Sequence, residues 1–211
     1  MSEPMTRAER LDPIEPGLWH WSIHDERIDF RSEAYAVAGP EGAILIDPLP
    51  LDPMAAEALG PVQAICLTGG FHQRSAWRLQ RELEVPVWAP SGARVGGRPD
   101  AWFGDGASLP GGLTALDRPG PTSPHFVLDW TSPGRRRVLF IADLLMRAAR
   151  ETFFFVPDDH QQDPARSRES VRRLLETSPD VLCPAHGDPE PENGRRALEE
   201  ALAADQGRGG G

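Results

Sequence analysis

The stretch VQAICLTGGFHQRSAWRLQRELEVPVWAP, residues 62–90, decides how the chain is read. It opens on a short apolar run, Val62–Leu67, of the kind that fills a buried strand. It passes through the loop Thr68-Gly69-Gly70-Phe71-His72 into a segment, Gln73 to Leu83, in which Ala76, Leu79 and Leu83 recur at three- and four-residue spacing on one helical face. Val85–Trp88 then reads as a second strand. Strand, loop, helix and strand in that order make a βαβ-like unit, and loops at such strand ends are where α/β proteins commonly place their chemistry.

Towards the N-terminus, Leu18–Ile23, Ala34–Ala38 and Ala43–Ile46 are strand candidates, with Gly39-Pro40-Glu41-Gly42 as the turn between the last two. Pro53 to Leu59 reads as a short helix that Pro61 stops. Towards the C-terminus, Ser91–Pro124 is rich in Gly and Pro and reads as surface loop, with a weak strand signal around Leu113–Leu116. His125–Trp130 and Val138–Ile141 are apolar strands joined through Pro133-Gly134. Asp163 caps a helix with Pro164 in its first position, running to Ser178, and Val181–Cys183 is a further strand. Ala197, Leu198, Ala201 and Leu202 line a terminal helix. Together these predict a flexible N-terminus over residues 1–13, a single domain over 14–204 and a disordered tail over 205–211.

Composition narrows the function classes. The net charge of −10 is scattered along the chain, so its field repels nucleic acid and anionic membrane. No apolar run approaches the ~18 residues of a membrane span, and the chain reads as cytoplasmic. All 22 basic side chains are arginine. Without lysine, Schiff-base chemistry, a lysine general base and a phosphate-loop lysine are excluded. The basic run Arg135, Arg136 and Arg137 follows a turn and reads as a solvated hairpin end. Cys66 and Cys183 stand in apolar segments, in neither a redox nor a zinc-knuckle spacing, and read as buried thiols.

Several segments, in order, resemble landmarks of the metallo-β-lactamase superfamily. Gly42-Ala43-Ile44-Leu45-Ile46-Asp47 resembles the strand ending in a structural aspartate. Ile65-Cys66-Leu67-Thr68, with the helix after it and Val87-Trp88-Ala89-Pro90, resembles the surroundings of the first metal motif. Ile141-Ala142-Asp143 resembles the strand ending in the bridging aspartate, and Cys183-Pro184-Ala185-His186-Gly187 the segment carrying the last ligand. The resemblance covers roughly residues 14–190, most of a domain. It implies an α/β fold, an αββα four-layer sandwich, with Asp143 and His186 as catalytic residues.

The same resemblance exposes what is missing. The first motif, His-x-His-x-Asp-His, gathers donors around a dinuclear zinc centre at ~2.0–2.2 Å. Its four ligand positions here read Gly69, Phe71, Gln73 and Arg74, and the next ligand falls on Pro121. Of the family's seven ligand positions, Asp143 and His186 remain. The leading expectation is therefore a metal-free or metal-poor protein whose cleft, with Gly69, Phe71, Gln73, Arg74 and Pro121 around it, binds a small molecule or a protein partner. In that reading Asp143 pairs with Arg74 as a charge substitute for the metal, and His125 starts a strand at the surface.

An alternative keeps one zinc, iron or manganese ion on a rearranged set, His72, His125, Asp143 and His186, and a hydrolase activity on an ester, thioester or lactam. A third reading is a structural protein dimerising through Phe153, Phe154 and Phe155. His20 and His24 read as strand alternation beside Trp19 and Trp21, and Asp158-Asp159-His160 as a charged loop feeding a helix start. Ser75 and Thr68 lack the surroundings of a hydrolase nucleophile.

Overall fold

The structure is a computed structural model that describes residues 3–148 and 151–208. Two sheets lie face to face, each covered by helices on its outer side. The first sheet has seven strands in sequence order: β1 (Asp12–Glu15), β2 (Leu18–Asp25), β3 (Phe30–Ala38), β4 (Ala43–Ile46), β5 (Val62–Cys66), β6 (Val87–Pro90) and β7 (Ala101–Phe103). Its first half is an antiparallel meander and its second half is parallel. The second sheet has four strands, β8 (Thr114–Asp117), β9 (Phe126–Thr131), β10 (Arg137–Ala142) and β11 (Val181–Pro184), in the order β11-β10-β9-β8.

The period of two along each strand divides the core into layers. Ile44, Ile46, Ala64 and Cys66 meet Phe126, Leu128, Val138 and Phe140 of the facing sheet. Leu45, Ile65 and Val87, on the opposite face, pack beneath α2 (Ala76–Leu83). Val127, Leu139 and Ile141 pack beneath α3 (Pro164–Leu175) and α4 (Gly194–Arg208), against Val171, Leu174, Leu198 and Ala201. The result is the expected αββα sandwich. Strands β4 and β10 read as continuous apolar runs because both of their faces are covered.

Local rules account for the element starts. A short helix, α1 (Pro53–Ala56), begins where the Asp52 side chain accepts the Met54 N–H at 2.9 Å. In α3, Asp163 accepts the Arg166 N–H at 2.9 Å and Pro164 occupies the first turn. That helix ends at Leu175, short of the expected Ser178.

Three expectations need correction. Residues 3–13 are tied to the domain: Ala8 is buried and exchanges main-chain hydrogen bonds with Pro50 and Asp52, and β1 begins at Asp12. At the other end α4 continues to Arg208, with Asp205 paired to Arg168 at 2.6 Å. Residues 1, 2 and 209–211 of those two terminal segments lie outside the described residues. Within Ser91–Pro124, β7 and β8 each close an edge of a sheet. β7 has three residues, too few to display a period.

Phe153 and Phe155 are buried in the layer beneath α3 and α4, leaving Phe154 half-buried at the surface. Both cysteines are buried, and burial raises their thiol pKa values. Among the described residues no helix is long and apolar enough to cross a membrane.

Candidate functional site

Strands β4, β5, β10 and β11 end along one edge of the sandwich, and each hands over a polar residue there: Asp47, Thr68, Asp143 and His186. Main-chain bonds stitch the two sheets together along this edge. Phe126 N–H donates to Thr68 O and Glu33 N–H to Ala185 O, both at 2.9 Å, while Ala185 N–H to Ala142 O at 3.0 Å extends the β10–β11 pairing within the second sheet. The backbone is strained here: Asp47, Arg74 and Ala142 hold φ values of 46°, 39° and 48°, in the left-handed region that side chains disfavour. Gly187 needs its freedom as well, since a Cβ there would lie 1.9 Å from the Arg147 carbonyl oxygen.

Three of the expected donors converge. One ligand atom each from His72, Asp143 and His186 lies within 4.8 Å of the others. His72 Nε2 is 3.1 Å from Asp143 Oδ2, and His186 Nε2 is 3.4 Å from Asp143 Oδ1. The far side of each ring is anchored. His186 Nδ1 donates to the Arg31 carbonyl at 2.8 Å. His72 Nδ1 faces Thr68 Oγ1 at 2.9 Å and Asp47 Oδ2 at 3.2 Å, while the Thr68 hydroxyl itself donates to Asp47 at 2.5 Å. These partners put the proton on Nδ1 in both rings and turn Nε2 toward Asp143.

For His186 the assignment leaves a conflict. A carbonyl can only accept, so Nδ1 carries the proton, and in the neutral ring the Nε2 lone pair then faces a carboxylate oxygen. Among the described residues Asp143 Oδ1 is buried with no hydrogen-bond partner, and burial keeps the His186 pKa below its ordinary value, which disfavours a second ring proton. Two acceptors then face each other at 3.4 Å, an arrangement that costs free energy in a buried site. His72 differs. Burial opposes its charge, but Asp143 and Asp47 beside it outweigh burial and raise its pKa to about 9. Burial would raise the Asp143 pKa, yet His72, and after it His186 and His125, hold it well below the usual carboxylate range.

His125 stands apart from this group. It is buried, not at the surface as expected, and both of its nitrogens are engaged: Nδ1 donates to Arg118 O at 2.9 Å, and Nε2 accepts the Asp143 main-chain N–H at 3.2 Å. Burial drives its pKa down to about 4, so it is a neutral strut that holds Asp143 in place and has no lone pair left for a metal.

Arg74 also departs from expectation. It does not pair with Asp143; its guanidinium donates to the main-chain carbonyls of Glu33, of Asp47 at 3.0 Å and of Ala185 at 3.5 Å. It thereby ties β3 to the ends of β4 and β11. The remaining cleft residues divide. Phe71 and Arg74 line a cavity of about 270 Å³ above the three donors, together with Arg27, Thr122 and His160. Gln73 is turned away, accepting from Trp77 Nε1 at 2.7 Å and Gly96 N at 2.5 Å. Gly69 forms an isolated bridge with His125, and Pro121 is buried, its carbonyl accepting from Gln162 N at 3.1 Å.

Other residues of the site carried no sequence signal. Arg31 contributes a carbonyl, which any residue supplies, and its side chain bridges Glu33 at 2.7 Å and Asp188 at 2.6 Å behind His186. His20 keeps the strand alternation, but its side of β2 is buried there and it pairs with the buried Glu33, while His24 stays exposed beside Asp29. Asp25, Ile28 and Ser32 reach the cavity from β2, the turn after it and β3. The neighbouring segment Asp158-Asp159-His160 forms a single turn, and only its His160 lines the cavity.

The sequence profile of the Metallo-beta-lactamase superfamily matches residues 12–203. Among solved structures, a metallo-beta-lactamase from Pontibacter korlensis superposes with a TM-score of 0.72 at 20% identity, over 93% of this chain and 98% of that one. The metallo-beta-lactamase FIM-1 from Pseudomonas aeruginosa, in its mono-zinc form, gives a TM-score of 0.73 at 16% identity over 100% of both chains. A metallo-beta-lactamase from Cronobacter sakazakii described by its HARLDQ motif gives 0.65 at 16% identity, over 94% of this chain and 97% of that one. At these identities the likeness is one of fold. A comparison with curated proteins finds no match.

Proposed function

The chain belongs to the metallo-β-lactamase superfamily, and on that premise we propose that it is a hydrolase holding a single divalent cation on His72, Asp143 and His186. The observation that carries the reading is the convergence of His72, Asp143 and His186, one ligand atom each within 4.8 Å of the others, around an Asp143 Oδ1 that is buried with no hydrogen-bond partner among the described residues. The donor chemistry fits: two imidazoles and one carboxylate, with open positions toward the cavity, suit zinc or iron. The Asp47 and Arg31 acceptors behind the rings are the outer partners that fix ligand tautomers. When bound, the cation supplies Lewis-acid polarisation of a carbonyl and lowers the pKa of water towards about 7.

The chain's own residues supply the rest. His125 and the strained Ala142 fix the direction of Asp143. Arg74 holds the ends of β4 and β11 at one spacing. His160, exposed, lines the mouth of the same cavity. The test is turnover of aryl ester and thioester substrates by zinc-loaded protein. We expect cleavage that a chelator abolishes and that Asp143→Asn lowers by about 100-fold or more, the scale of losing a positioned acid–base or ligand group. Zinc-loaded protein that cleaves no member of the panel overturns the hydrolase reading.

A second reading, a metal-free small-molecule binder, is favoured by one observation. His72 Nε2 and Asp143 Oδ2, 3.1 Å apart, make a self-sufficient ion pair when His72 is protonated.

A further inference from the structure

Arg74 has a chemistry that holding three carbonyls does not exhaust. It is buried, with 7% of its surface exposed, and that remainder lines the cavity beside His72, Asp143 and His186. Its acceptors are neutral carbonyls, and among the described residues no carboxylate lies within 4.0 Å of it. Arg147, equally buried, pairs with Glu190, and the part-buried Arg27 pairs with Asp25. Arg118, the other buried arginine without a carboxylate, does not line this cavity. A guanidinium has five N–H donors. Two on Nη1 and one on Nη2 meet the carbonyls of Glu33, Asp47 and Ala185, leaving one on Nε and one on Nη2 with no acceptor among the described residues.

We propose that Arg74 is the anion-recognition group of the cavity, and that the ligand is a small carboxylate with an apolar body. The two remaining N–H groups suit the planar, forked geometry with which arginine grips a carboxylate. The body of the ligand lies against Phe71 and Ile28, which form an apolar rim and are 54% and 51% exposed. A volume of about 270 Å³ falls just below the ~300–1,000 Å³ of drug-sized pockets, so the ligand is small. Four carboxylates surround Arg74: Asp47 and Glu33 do not line the cavity and are paired with Thr68 and His72 and with Arg31 and His20, and Asp25 is paired with Arg27, so Asp143 is the one that faces an anion in the cavity. The inference rests on the single-cation reading only in that a cation held by Asp143 would cancel its charge.

The test compares benzoate with its uncharged isostere benzamide on the full chain, by calorimetry and by the ¹⁵N resonance of the Arg74 Nε–H. We expect benzoate to bind about tenfold tighter, the scale of one charge-assisted contact, and to shift that resonance. The preference should shrink severalfold in Arg74→Lys, which keeps the charge without the fork, and vanish in Arg74→Gln. Equal binding of the two probes, or a benzoate preference unchanged in Arg74→Gln, overturns the proposal. Should Arg74→Gln fail to fold, the wild-type resonance decides, and an Nε–H unmoved by saturating benzoate is equally fatal. Metal analysis of the same samples separates the two readings. One cation without benzoate preference sinks the Arg74 assignment alone, whereas metal-free protein that still prefers benzoate sinks the single-cation reading and supports Arg74.

Discussion

Asp143 and His186 stand at the ends of β10 and β11, whereas His72 and Arg74 stand on the loop between β5 and α2. Both regions face the same cavity, yet they meet the metallo-β-lactamase pattern differently. At the strand ends, side-chain position follows from sheet register, and Asp143 and His186, at two of the family's ligand positions, are present. On the loop no ladder fixes the side chains. There four ligand positions read Gly69, Phe71, Gln73 and Arg74, and His72, at a position between them, reaches the same Asp143. The comparison teaches that strand ends keep side chains where register puts them, whereas a loop without a ladder can bring a different residue, His72, to the same Asp143.

The largest effect is expected where the loop grips the strands. Arg74→Met removes the donor shared by three buried carbonyls, and should destabilise the protein by about 3 kcal/mol or more in urea unfolding. A loss under about 1 kcal/mol would mean that the loop does not hold the strand ends together.

The next effect concerns the proton on His72. Its folded pKa of about 9 lies above the ordinary 6.5. In metal-free protein its contribution is therefore fully present below pH 6.5 and is lost as pH rises through about 9. The loss should be on the order of 3 kcal/mol and absent in His72→Gln. Zinc displaces the same proton, so zinc-loaded protein should not show this decline, and calorimetry in buffers of different ionisation heat should register proton release on binding at pH 7.

His125 titrates in the opposite sense. Its folded pKa is depressed to about 4, so stability should fall as pH drops from 6.5 towards 4 while the unfolded chain takes up the proton. In His125→Phe that part of the acid sensitivity should be missing, at a price of about 1–3 kcal/mol near neutral pH because Arg118 O and Asp143 N–H lose their partner.

The smallest change tests the strand-end side alone. Tyr35→Phe removes the hydroxyl that donates to Pro184 O at 2.8 Å, just ahead of His186. It should cost about 1 kcal/mol and leave metal content unchanged.

Most of the fold was legible because its strands are buried on both faces and its helices carry apolar stripes and caps. Asp163-Pro164 marked the start of α3 without ambiguity. What escaped has physical reasons. Val87–Pro90 pairs two residues later than Val85–Trp88 suggested, since its parallel register is set by β5 and β7 and not by a turn. The site was half legible: Asp143 and His186 follow strands, and the resemblance of those strand ends to the family's ligand segments picks them out. His125 misled because a histidine immediately before a strand looks the same whether it ligates a metal or props up a neighbour's main chain. Arg74 misled because charge invites pairing with a carboxylate, while the fold offers it three carbonyls.

The most direct measurement is the metal content of purified protein after growth with added zinc, by plasma mass spectrometry, for the wild type, His72→Ala and His186→Ala. The account predicts about one cation per wild-type chain and far less in both variants. Full occupancy in His72→Ala would contradict the loop histidine as a ligand, and wild-type protein that stays without metal would contradict the single-cation site altogether.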